Sequence, residues 1–245
     1  MPSINTNYGA AVALQSLNKT NGELERTQNR INTGMKVSSA KDSGAIFAIA
    51  TSQRAAAASQ DAVRAGLQRT QSITDVALAA GDTITSALEE MKGLAVSIAG
   101  STGAAQTSYL AEYNALGLEI ASAISGASFD GVNSLTTLGS NAAITAVNTG
   151  SVTNTNATVA NVDAAITATT AALSTLGTQS KSLGRQITFV NKLQDALEAG
   201  VGNLVDADLA KESAKLTALQ TKQQLGVQAL SIANQGSSIL LGLFR

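Results

Sequence analysis

The chain has no histidine, no cysteine and no tryptophan, and its single proline is Pro2. The first two absences remove the commonest general base, the thiolate nucleophile, disulfides and every metal site built on His or Cys. An enzyme made from this chain would be limited to carboxylates, lysines and hydroxyls. No G-x-x-x-x-G-K-[ST] or G-x-G-x-x-G string offers a phosphate cradle. No catalytic, cofactor or metal residues are therefore expected. An excess of one charge is missing too: 16 basic against 17 acidic residues leave −1, unlike the footprint of a nucleic-acid or anionic-membrane binder. The start lacks the basic, then apolar, pattern of a cleavable signal, since the first charge is Lys19. The uncharged run from Gln223 to Phe244 is interrupted by Asn234, Gln235, Ser237 and Ser238, which argues against a membrane span. Aromatics make up 3% of the chain against 44% for all hydrophobic residues, so Ala, Leu, Val and Ile must build the interior.

With no proline after Pro2, long helices are permitted. Leu14, Leu17, Leu24 and Ile31 form one helical stripe, Gly34 is a stop, and residues 38–44 read as a connector. From Ile46 a heptad track runs through Ile49, Ala56, Val63, Thr70, Ala77, Ile84, Met91 and Ile98, and Gly100–Gly103 ends it. A companion track three residues earlier is diluted by Gln53, Gln60, Thr74 and Gly81. A second helix follows to about residue 128. Residues 139–161 are rich in Thr, Asn, Ser and Gly, and predict short hairpins and turns, with a disordered linker as the alternative. Heptads return through Ile166, Leu173, Leu183, Ile187 and Val190 as far as Leu204. A last stripe carries Leu209, Leu216, Leu219, Val227, Leu230 and Leu240.

The predicted fold is mainly α: an elongated rod of long antiparallel coiled-coil helices with a small β-hairpin and turn region. Its parts are 1–45, a rod of 46–205 (helices 46–99, 104–128 and 162–204, β- and turn-rich 130–161), and 206–245. A helix over 46–99 would span about 81 Å at a rise of about 1.5 Å per residue, whereas a compact domain of this length has a radius of gyration of about 18 Å. The end helices, with one apolar stripe each and little partner surface within one chain, should order only against other copies. The core seam is expected at Ile49, Val63, Ile84, Met91, Ile98, Ile166, Leu173, Leu183, Ile187 and Val190.

Several short motifs, in order and at both ends, give this chain its family likeness. They are Leu17-Asn18-Lys19, Arg30-Ile31-Asn32-Thr33-Gly34, Ser39-Ala40-Lys41-Asp42, Phe129-Asp130-Gly131-Val132, Asp206-Ala207-Asp208, Gln223-Gln224-Leu225-Gly226 and Ala233-Asn234-Gln235. The chain resembles a bacterial flagellin, a short form without large outer domains. Ser237 stands where that family often has proline, and Phe244 within a usual Leu-Leu-Arg ending. The resemblance implies a subunit that is exported without a cleaved signal and assembles outside the cell into the filament used for swimming. The implied partners are further copies of itself, an export chaperone, and hook-associated junction and cap proteins. By the same resemblance, residues up to about 45 and from about 206 form an inner layer between subunits. A hook–filament junction protein shares such ends, and a chemoreceptor-like coiled coil shares the heptads but not the uncharged middle.

Glu89, Glu90 and Lys92 read on their own as a solvated helix face. In many flagellins this stretch, with Leu94, is recognised by the innate Toll-like receptor for flagellin through Arg and Glu; here Glu90 and Gly93 stand at those positions, so the resemblance implies weak recognition. Asp206 and Asp208 lack the glycine turn and terminal Glu of a calcium loop and read as helix N-terminal charge. Ser and Thr of 139–180 read equally as an O-glycan acceptor surface or as polar turn sequence.

Overall fold

The computed structural model describes residues 7–242, with side-chain surroundings over 7–235. Helix α1 spans Tyr8–Thr33. The Asn7 Oδ1 accepts the Ala10 N–H at 3.0 Å, satisfying one of the orphan donors at its start. Gly34 closes it in the left-handed region at φ 70°, a conformation that glycine reaches without steric cost. The connector is then tied by one carboxylate: Asp42 Oδ2 accepts from the backbone N–H groups of Ser38 and Ser39 and from both hydroxyls. Those backbone bonds, Ser38's first, hold the Asp42 carboxyl below the ordinary aspartate range.

Helix α2 runs Gly44–Gly100 and α3 Ala104–Gly126, joined at Gly103 (φ 65°). Two short strands follow, β1 Ser128–Phe129 and β2 Val132–Asn133, paired antiparallel with Ser128 opposite Asn133 and Phe129 opposite Val132. The linking Asp130 and Gly131 both have positive φ, as a tight two-residue hairpin turn requires. After one-turn helices α4 (Thr136–Gly139) and α5 (Ala142–Thr145) come the long α6, Val159–Val205, and α7, Leu209–Gly242.

Hairpins expected within 139–161 are not found; that stretch forms short helices and turns, and the hairpin lies just before it. The reason is spacing. Leu135, Leu138, Ile144 and Val147 are all buried and recur in threes, the period of a helical turn and not of a strand. They pack on α3, where Gly117 lets the chain come close: a Cβ there would lie 2.5 Å from the Val147 carbonyl oxygen. Asn114 pins the segment from both sides, donating to the Val152 carbonyl at 3.2 Å and accepting its N–H at 2.7 Å.

The chain divides into two compact units, residues 59–193 and residues 1–58 with 194–245, and α2 and α6 contribute to both. The layer boundaries expected at 45 and 206 concern an assembly, which contacts within one chain do not address. In the first unit, α2 and α6 run antiparallel, with Ser180 donating to Asp75 and Lys92 paired with Asp163. One core gathers Ile84, Leu88, Met91 and Ile98 of α2, Tyr113 and Ile120 of α3, and Val162 and Ala165 of α6. Gly81, which broke the apolar track in the sequence, is a socket: a Cβ there would run into the Leu173 side chain. Buried Thr74 and Thr169 return their hydroxyls to the carbonyls four residues back, so threonine fills seam positions without an orphaned donor. Tyr113 is the exception; its fully buried hydroxyl has no partner among the described residues, and burial pushes its pKa up to about 12.

The seam differs from expectation over the first part of α2. Ile84, Met91 and Ile98 are fully buried and Leu183 and Val190 nearly so, with Ile166, Leu173 and Ile187 half-buried. Ile49 and Val63, however, are 51% and 48% exposed, which corrects their assignment to the core. There the buried line is the companion track with the position four residues on: Ala50 and Ala57 are buried, and Ile46, Gln53, Gln60 and Leu67 half-buried. Near Ile84, α2 meets both α3 and α6 and needs a wide apolar face. Where α3 is absent a narrower seam suffices, and small alanines with glutamine stems serve it, while isolated surface Ile and Val are ordinary. Ile84→Asp is therefore expected to cost several kcal/mol, whereas Ile49→Asp should stay within about 0.5 kcal/mol of the parent. Urea melts followed by circular dichroism distinguish the two, and equal losses would contradict this seam.

Candidate assembly surface

Within the second unit, α1 and α7 lie antiparallel as each other's partner. Their buried stripes alone do not set the register; polar ties do. Asn7 Nδ2 donates to the Ala233 carbonyl at 2.8 Å, Gln223 Nε2 donates to Asn21 Oδ1 at 2.8 Å, and Arg30 reaches Glu212 at 3.1 Å. Leu17 sits over Gly226, where a Cβ would approach its methyl to 3.2 Å. Leu219 is buried, and Leu17, Leu24, Ile31, Leu216 and Leu230 are half-buried along this line. The expectation that each end helix lacks a layer inside its own chain is thus corrected: each supplies the other's layer.

A backbone clasp anchors the pair. Lys36 N–H donates to the Val205 carbonyl at 2.7 Å and Ala207 N–H to the Gly34 carbonyl at 2.8 Å, over a small core of Val37, Ala50, Val201 and Val205. Asp208 Oδ1 accepts the Lys211 N–H at 3.1 Å, so this aspartate caps α7. Asp206 meets Met35 in the bridge.

What the pairing leaves outside is apolar. Tyr8 is 83% exposed and Ile232 69%; Val12, Leu14, Leu209, Leu225 and Val227 are exposed as well. Leu225 and Ile232, seven apart, stack on a line about 140° around α7 from the buried stripe, by about 100° per residue. The end-helix residues named from sequence therefore separate into an intrachain line and an outer group of Leu14, Leu209 and Val227. Leu240 lies outside the described side chains. Tyr8, Leu225 and Ile232 escaped the sequence reading, although Tyr8 is the first aromatic of the chain and the other two are a heptad apart.

A cleft of about 280 Å³ opens beside the pair, lined by Glu23, Arg26, Thr27, Arg30 and Lys215. Thr27 Oγ1 and Glu212 Oε2 are buried without hydrogen-bond partners among the described residues. Arg30 is the cation that neutralises Glu212, whose side chain is only 12% exposed. Arg30→Met is expected to destabilise by about 1–2 kcal/mol, less than a fully buried pair because Arg30 itself reaches solvent. Adding Glu212→Met should recover most of the loss in a double-mutant melt; full additivity would show the two do not interact.

Glu89, Glu90 and Gly93 are exposed on α2, and Leu94 is half-buried beside them. No helix among the described residues is long and apolar enough to cross a membrane, and none of the described acidic residues gather into a group able to hold a metal ion.

Long helices packed against one another, with apolar side chains left on an outer face, define an α-helical protein built from paired long helices. Residues 4–139 match the bacterial flagellin N-terminal helical region, and residues 159–244 the bacterial flagellin C-terminal helical region. The chain is 52% identical to flagellin FljN of Caulobacter vibrioides over 270 aligned positions, spanning 99% of this chain and 98% of that protein. It is 51% identical to flagellin FljM of the same organism over 269 positions, with the same coverage. With a flagellin of Brucella melitensis identity is 37% across the whole of both chains. The chain belongs to the bacterial flagellin family.

Proposed function

We propose that this chain is a structural subunit of the extracellular bacterial flagellar filament, a self-polymerising protein and not an enzyme. The observation that carries the reading is the apolar outer surface of the α1–α7 pair. Exposed Tyr8, Leu225 and Ile232 cost solubility in a monomer and gain by burial against neighbouring copies. Family membership supports the same role.

In the finer reading, the chain leaves the cell by the flagellar export route and meets an export chaperone, the junction proteins and the cap. Residues 1–45 and 206–245 form the inner layer, and the hydroxyl-rich 139–180 segment is the candidate glycan acceptor. Leu225→Asp with Ile232→Asp tests the inner layer without touching the monomer core. Far-UV circular dichroism should stay unchanged, while seeded growth monitored by electron microscopy should fail. Normal filaments from this variant would remove the outer face of α7 from the interface.

The Glu90 and Gly93 pair supports weak stimulation of the host flagellin receptor by depolymerised protein. A carboxylate stands where a cation is accepted, and a like-charge mismatch in an interface costs several kcal/mol. A reporter assay should show little response to the parent and partial recovery with Glu90→Arg plus Gly93→Glu. Strong activation by the parent would contradict it.

A further inference from the structure

Asn21-Gly22, in the middle of α1, is the one Asn-Gly pair in the sequence. Such a pair is chemically labile, because the backbone nitrogen that follows an asparagine can attack the side-chain carbonyl carbon, and glycine has no Cβ to hinder the approach. Its place in the fold gives that lability a consequence. Asn21 Oδ1 accepts from Gln223 Nε2 at 2.8 Å, which makes it one of the ties that set α1 on α7. Packing does not demand the glycine: nothing lies within 4 Å of where a Gly22 Cβ would be, whereas Gly226 on the facing helix sits under Leu17. The Gly22 carbonyl accepts from Arg26 Nε, in its own helix, at 3.1 Å.

The folded helix blocks the attack. A helical ψ of about −42° turns the Gly22 nitrogen away from Asn21 Cγ. As a residue inside α1, Gly22 also commits its N–H to the carbonyl four residues back. Asn18, Thr20, Asn21 and Gly22 are all low in helix propensity, so this turn owes its helicity to packing on α7. Opening the pair releases the Asn21 backbone and the Gly22 nitrogen together.

We propose that Asn21 is a deamidation site gated by the α1–α7 pair, protected while the two helices are docked and converted while they are apart. The Gly22 N–H first gives its proton to hydroxide. Its nitrogen then bonds to Asn21 Cγ, the bond from Cγ to the side-chain nitrogen breaks, and that nitrogen leaves as ammonia with a proton from solvent. Water opens the resulting succinimide at either carbonyl, giving aspartate or isoaspartate. One water is consumed and one ammonia released, with no change of oxidation state. Isoaspartate carries the main chain through an extra methylene, which displaces the helical hydrogen bonds that span it. A chain left open for long is thereby barred from re-forming the pair, and the Asn21–Gln223 tie records the time spent open. The gate lies within one chain and stands apart from the filament reading.

Ageing the full-length chain in mildly alkaline buffer, with and without unfolding urea, tests it. Asn21 is followed by peptide mass spectrometry and by isoaspartyl methyltransferase with a labelled methyl donor. Conversion should be at least tenfold faster in urea than in the native protein. Asn18, Asn29 and Asn32 of the same helix, each followed by a larger residue, should lag Asn21 at least tenfold in urea. Gly22→Ala should slow conversion in urea at least tenfold. Leu219→Ala removes a buried side chain of the pair but neither reacting residue, and should speed conversion without urea at least threefold. After refolding, chains bearing isoaspartate at 21 should be cut by protease within α1 at least tenfold faster than chains that keep Asn21. Equal rates in native protein and in urea, or a Leu219→Ala variant no faster than the parent, overturn the gate. An Asn21 that survives urea unchanged overturns the site itself.

Discussion

Everything in the unit formed by the chain ends depends on one long-range pairing, that of α1 with α7. Asn7 and Ala233 are held together across 226 residues of sequence. Closing so long a loop is slow, although its entropic cost grows only logarithmically with length. Neither helix carries a stripe wide enough to stand alone, and the pairing offsets this with polar ties at both ends and in the middle. A hydrophobic seam of Leu and Thr could slide by a heptad; Asn7, Asn21 with Gln223, and Arg30 with Glu212 each fit in one register only. Thr27 Oγ1 and Glu212 Oε2, without partners among the described residues, show that this specificity is held at some cost in stability.

The helices were legible because the signals were local and repeated. Gly34 and Gly100–Gly103 marked stops that depend on backbone conformation alone, and the heptads through Ile84, Met91 and Ile98 persisted long enough to outweigh exceptions. The seam near Ile49 was not legible, because apolar identity does not say how many partners a helix has. Gln53 and Ala57 face inward there only because α3 is missing. Gly81 misled for the opposite reason: a gap in one helix is filled from the other, and Leu173 lies about ninety residues away in sequence. The threonines of the seam read as polar, yet Thr74 and Thr169 satisfy their hydroxyls within their own helix. The likeness between the two ends of this chain and a known family reached further than periodicity could, since it implied contacts between copies, on which spacing within one chain is silent.

In the α1–α7 pair, polar groups inside the chain set register, and apolar groups outside it remain available to neighbours. The leucine line between the helices remains apolar, so the pair carries apolar side chains both inside and outside. This arrangement separates two properties under mutation. Side chains such as Leu219 and Ile84 govern whether the monomer holds together, whereas Tyr8, Leu225 and Ile232 can change with little effect on it. A chain built this way can vary its contacts with other copies without retesting its own fold.

The clasp between residues 34–37 and 203–207 bears on covalent continuity. Its backbone bonds, with the ties along α1 and α7, hold the first helix in place independently of the peptide that follows it. The stretch from Ser38 to Ser43 is largely exposed and rests chiefly on the Asp42 carboxylate. A cut in that stretch would leave two fragments still bound through Lys36, Val205, Gly34 and Ala207. The connector thus serves to deliver α1 to its place during folding, and once α1 is docked the chain there could be severed and the piece retained.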